Sequence, residues 1–179
     1  MRVFVAIKLS EELKSNIARF RQQYAALPVR WNRPEGLHVT MISPWEVGGS
    51  EMPGLIEHLN MLDAGRFDLF FDRLKMPVAD IIKSNREGDM VWLYGPVSKP
   101  FLALKDALER ILGFKFTRTR LQNHVTLARF ERKHLSASKV KRIDEPVKWH
   151  QRVDSVVLFR SHASPDGATY ETLAEFPLK

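Results

Sequence analysis

Apolar and polar positions alternate over residues 2–9 (RVFVAIKL), with Val3, Val5 and Ile7 on one side, which predicts a strand with at least one buried face. The period then lengthens. Ser10 stands at an N-cap position ahead of Glu11 and Glu12, and Leu13, Ile17, Phe20 and Tyr24 recur at helical spacing until Pro28 ends the run. Past the turn Pro34-Glu35-Gly36, residues 37–43 (LHVTMIS) alternate again and stop at Pro44. A Gly48-Gly49-Ser50 loop leads to a helix expected over residues 52–62. Strands are expected over residues 67–74 and 90–94, with a short strand near 78–82 and an exposed turn at 83–88 between them.

The second half repeats the scheme. Phe101, Leu104, Leu108, Ile111 and Leu112 mark an amphipathic helix that closes at Gly113, and residues 123–130 (NHVTLARF) read as a strand. A helix over 136–143 and strands over 152–161 and 170–177 follow, the last two joined by the turn Pro165-Asp166-Gly167. Strand, helix and His-Val-Thr strand thus occur twice, the triplets lying 86 positions apart. No Pro-, Gly- or Ser-rich linker divides the halves. The expected fold is α+β: one domain over residues 1–179, built as two interlocked lobes with mainly antiparallel sheets across a cleft.

Composition narrows the chemistry. The chain has no cysteine, so disulfides, thiolate nucleophiles and sulfur-ligated zinc are excluded, and no apolar run approaches the roughly 18 residues of a membrane span. A cytoplasmic location, no membrane partner and a monomer are the expectations. The formal net charge of +7 favours a polyanionic partner, although a basic balance also serves solubility.

Alternation turns each triplet into a device. In a strand, residues i and i+2 share a face, so His38 emerges beside Thr40, and His124 beside Thr126, while the central valines point into packing. A shuffled chain of this composition would hold about 0.2 His-x-Thr triplets, so two in matching strand contexts point to function where one would not. Imidazoles titrate near neutrality, so one can serve as base and the other as acid across a single phosphate, and the hydroxyls suit its non-bridging oxygens. Arg129 is the best candidate for an accompanying guanidinium, but strict alternation puts it on the wrong face. It can contribute only from a strand end or bulge.

The paired motifs, the opening RVFVAIKLSEEL, the segments PEGLHVTM and NHVTLAR, and the closing VVLFRS and YETLAEFPL resemble the LigT/ThpR branch of the two-histidine phosphoesterases over essentially the whole chain. The resemblance implies a bilobal fold and metal-independent, cofactor-free opening of RNA 2′,3′-cyclic phosphate ends to 2′-phosphates. It also implies that His38 protonates the leaving 3′ oxygen, His124 activates water, and Thr40, Thr126 and Arg129 bind the phosphate. Where such proteins usually continue the first motif with Phe-Leu-Gly, this chain has Ser43-Pro44-Trp45. Trp45 either stacks on the terminal base in place of that aromatic or only packs the strand end.

The basic stretches Arg118-Thr119-Arg120 and Lys139-Val140-Lys141-Arg142 are candidates for guiding an RNA backbone, or are solvated faces. Arg118 and Arg120 lie just upstream of His124. His58, His134, His150 and His162 lack metal-ligand spacing and read as surface or structural. Reversible 2′-5′ ligation or another cyclic phosphate would use the same residues. A non-catalytic RNA- or nucleotide-binding module remains the reading of a different class, though phosphate binding alone has no need of two imidazoles.

Overall fold

The computed structural model describes residues 1–76, 90–113, 122–130, 143–164 and 167–179. The short strand and turn expected at 78–88, most of the helix expected over 136–143, and the residues Pro165 and Asp166 lie outside them.

The alternating opening forms β1 (Arg2–Lys8), and Ser10 caps α1 (Glu11–Gln23) by accepting a hydrogen bond from the Leu13 N–H at 3.2 Å. A two-residue strand β2 (Arg30–Trp31) precedes β3 (His38–Glu46), which continues through Pro44 rather than stopping there. Beyond Val39 the outer edge of β3 has no partner strand among the described residues, so the missing proline N–H costs no ladder bond. There follow α2 (Met52–Asn60), β4 (Phe67–Met76), β5 (Met90–Gly95) and α3 (Lys99–Leu112), the last closed by Gly113 at φ +72°, a left-handed cap that suits glycine. β6 (Asn123–Arg129), β7 (Ile143–Val153), β8 (Ser155–His162) and β9 (Thr169–Pro177) complete the chain. The strand expected over 152–161 is therefore two strands, broken at Asp154.

All strand pairs are antiparallel, in the order β7-β4-β5-β6-β3-β1-β8-β9, with β2 also on β6. The two sheets expected from the sequence are halves of this one large sheet. Each half holds four strands in the same relation, β3-β1-β8-β9 and β6-β5-β4-β7. The junction is a single register pair, Val39 opposite Val125, because β2 takes over the edge of β6 three positions later.

The helices cover the face opposite the two histidines. Leu13, Ile17 and Phe20 of α1 and Phe101, Leu104 and Leu108 of α3 join Val3, Val5, Ile7, Val39 and Val125 in one buried cluster. Helix packing crosses between the halves, α1 against β7 and α3 against β3, while α3 also packs on β4 of its own half. A buried side chain strengthens that crossing: Gln151 of β7 accepts from the Ser10 N–H and donates to the Lys8 carbonyl, both at 2.9 Å.

Candidate active site

His38, Thr40, His124 and Thr126 are each half-buried on the open face of the sheet, and Val39 and Val125 between them are fully buried beneath. The triplets lie antiparallel on either side of the Val39–Val125 pair, so each presents its imidazole and hydroxyl to the same space.

Both strands then break alternation at the same place. On β3, Ile42 pairs with Val5 and Thr40 with Ala6, leaving Met41 as an extra residue. On β6, Ala128 pairs with Val91 and Thr126 with Trp92, leaving Leu127 extra. Each bulge falls three residues after the histidine. The second one resolves the position of Arg129: the added residue reverses the faces, and the guanidinium lines the same cleft as His124 and Thr126. Asn32 braces this bulge, its side-chain amide donating to the Thr126 carbonyl at 2.7 Å and its backbone N–H to the Leu127 carbonyl at 2.8 Å.

His38 stands in an aromatic corner, 4.9 Å from the Phe4 ring and edge-on to Tyr170 at 5.1 Å between centroids. Its Nδ1 lies 2.7 Å from the Gly36 carbonyl oxygen, which can only accept, so Nδ1 carries the proton and Nε2 is left for the cleft. Burial, which strips water from the charged ring, lowers its pKa to about 4. The bond to Gly36 opposes this, and the charge of His124 adds to the lowering. With no anion bound, His38 is neutral at pH 7. His124 repeats the arrangement with the carbonyl two residues before it, Gln122, at a longer 3.4 Å, and Trp92 approaches its ring edge-on at 5.5 Å. The Trp92 indole N–H donates to the Thr126 hydroxyl at 3.2 Å. That occupies one lone pair and leaves the hydroxyl hydrogen for another acceptor.

These side chains enclose a cleft of about 390 Å³ whose walls also include Arg2, Phe4, Asn32, Trp92 and Tyr170. Sequence reading missed those five. Trp92 and Tyr170 were legible as strand aromatics, but only the cross-strand register reveals that Trp92 opposes Thr126. Trp45 is not in the cleft. It faces the helical side and lines a separate groove of about 340 Å³ with His58 and Leu112, so the packing alternative describes it, and Pro44 lines the cleft instead. Arg118, Arg120, the 139–142 stretch and His134 lie outside the described residues. His150 stacks on Phe70 with centroids 5.9 Å apart, and His162 bonds Glu171 at 2.9 Å. Among the described residues, no three His, Asp or Glu side chains are grouped to hold a metal ion.

Residues 7–76, which contain the first triplet, match the family described as LigT-like phosphoesterase. The RNA 2′,3′-cyclic phosphodiesterase of Methanocaldococcus jannaschii is 24% identical over 193 residues, an alignment that spans 98% of this chain and all of that protein. The crystal structure of E. coli LigT in apo form superposes with a TM-score of 0.76 at 21% identity, covering 99% of this chain and 96% of the other. The chain is similar to the LigT-like phosphoesterases in sequence over its first half and in fold throughout. E. coli LigT complexed with 3′-AMP gives a TM-score of 0.74 at 21% identity, covering 99% and 97%. The family match ends before the second triplet, but the alignment with the archaeal relative runs through it. The chain therefore shares the fold of these structures over both halves.

Proposed function

We propose that this phosphoesterase opens RNA 2′,3′-cyclic phosphate ends to 2′-phosphomonoesters by acid–base catalysis between His124 and His38, without a metal. The observation that carries the reading is the paired geometry. Two imidazoles, each with Nδ1 directed at the carbonyl two residues earlier, line one cleft together with two hydroxyls and a guanidinium.

Attack in line with the P–O3′ bond needs a base on one side of phosphorus and an acid on the other. His124 takes a proton from water as the water oxygen bonds phosphorus. The P–O3′ bond breaks, and His38 Nε2–H delivers a proton to O3′, leaving a 2′-phosphate. His38 is neutral in the empty cleft, so this role requires it to gain its proton when the anion arrives. A phosphate beside a desolvated imidazole favours the charged form strongly. Thr40, the free hydrogen of the Thr126 hydroxyl and the Arg129 guanidinium bind the non-bridging oxygens, where charge accumulates. The archaeal relative bears the name of this activity, and a structure of E. coli LigT contains 3′-AMP. Both support a nucleotide end as the ligand.

An oligonucleotide ending in a 2′,3′-cyclic phosphate, incubated with the protein and EDTA, should yield a 2′-phosphomonoester. His38→Ala and His124→Ala should each lower kcat by about 10²–10⁴. Folded variants that cleave at the wild-type rate would refute the assignment, EDTA-sensitive cleavage would point to a metal, and bound but unchanged substrate to a recognition module.

A further inference from the structure

Arg30 and Arg129 face each other in register where β2 pairs with β6, and both side chains are exposed. Residues directly opposite in an antiparallel pair project to the same side with their Cβ atoms about 5 Å apart, and like charges so placed repel. Neither arginine has a carboxylate partner among the described residues. Arg129 lines the cleft; Arg30 stands just outside it.

The Arg30 guanidinium has a defined seat. A Cβ added to Gly167 would lie 3.3, 3.4 and 3.5 Å from its Cζ, Nη2 and Nη1, so the planar group lies flat over the glycine. Gly167 has φ +114°, a conformation that side chains disfavour, and the next residue, Ala168, lines the cleft wall. A fork of N–H donors therefore rests over Gly167 next to the cleft wall, across the strand pair from the guanidinium already assigned to the reacting phosphate. Two guanidiniums across one strand pair, neither with a carboxylate partner among the described residues, suit two successive anions.

We infer that Arg30 is a second phosphate site, taking the phosphodiester immediately 5′ to the cyclic phosphate and making oligonucleotide ends the preferred substrate class over cyclic mononucleotides. The inference rests on the reading of the cleft as a site for RNA ends. In such an end, the terminal cyclic phosphate occupies the histidine pair, and the only other phosphates are those on the 5′ side. A cyclic mononucleotide has none to offer Arg30.

The test compares a 2′,3′-cyclic mononucleotide with a trinucleotide ending in the same cyclic nucleotide, using wild type, Arg30→Gln and Arg30→Lys. Hydrolysis and, with His124→Ala as background, equilibrium binding are both read. Arg30→Gln should weaken trinucleotide binding about 10-fold and flatten its salt dependence by about 0.7 in log K against log[salt], the single-strand value for one phosphate contact. Mononucleotide binding should change far less. Arg30→Lys should restore part of the trinucleotide affinity, since it keeps the charge and loses the fork. Equal losses for both ligands, or unchanged trinucleotide affinity, would overturn the site. Absence of hydrolysis with the Arg30 binding increment intact would instead overturn the catalytic reading alone.

Discussion

Trp92 donates its indole N–H to the Thr126 hydroxyl at 3.2 Å, from the strand position directly opposite. The bond occupies one lone pair of the hydroxyl and leaves its hydrogen to be donated to a ligand in the cleft. Trp92→Phe keeps an aromatic ring against His124 but deletes the donor. It should lower kcat about 3- to 10-fold with little loss of stability. Steady-state kinetics beside a denaturation curve checks this, and unchanged kcat would show that Thr126 needs no such bond.

Asn32 acts at one remove from the chemistry. Its two bonds to the Thr126 and Leu127 carbonyls hold the bulge that turns Arg129 inward. Asn32→Ala loses the side-chain bond and should destabilise the fold by about 1 kcal/mol. Its effect on catalysis should resemble that of Arg129→Ala, and the double variant should lose less than the product of the two single losses. Multiplicative losses would mean that Asn32 and Arg129 act independently.

His38 makes stability depend on pH. Its pKa is about 4 in the folded chain and about 6.5 when unfolded, so between these values the unfolded state binds more protons. The contribution is complete above about pH 6.5 and is lost as pH falls toward 4, reaching at most about 3 kcal/mol. Thermal denaturation of wild type and His38→Gln from pH 7.5 to 4.5 isolates it. Wild type should lose stability relative to the variant as the solution is acidified, and parallel curves would contradict a neutral buried ring.

Gly95 opposes Asn123, the residue before the second histidine. A Cβ there would fall 1.8 Å from the Phe70 carbonyl oxygen and 2.6 Å from the Asn123 amide nitrogen, which itself donates to Phe70 at 2.8 Å. Gly95→Ala should cost more than about 3 kcal/mol in denaturant unfolding, whereas Gly49→Ala, with open space around it, should stay within about 0.5 kcal/mol. Equal stability of the two would remove the steric argument.

Side-chain alternation made the central device legible before any coordinates: two imidazoles beside two hydroxyls, and an arginine that required a bulge. The bulges themselves were not legible, because an extra residue is defined by its partner strand, and LHVTMIS alone does not say that Met41 lacks one. β7 was hidden for a related reason. Pro146 reads as a breaker, and only the position of β7 at the sheet edge, paired with β4 on one side, makes proline acceptable there. Trp45 occupies the stretch where the resemblance places an aromatic, and the sequence leaves stacking and packing both open, whereas the second irregularity in the β1–β3 register, between Val3 and Val5, accompanies its turn to the helical side. Arg30 and Asn32 carry no motif and become visible only through the strand that pairs them with β6.

The solitary rung between Val39 and Val125 sets the spacing of the two imidazoles through the backbone, since His38 and His124 each sit one residue from it. A slip of one residue on either strand would turn that strand's histidine and threonine together to the helical side, so the register of this one pair defines the cleft as much as the side chains that line it.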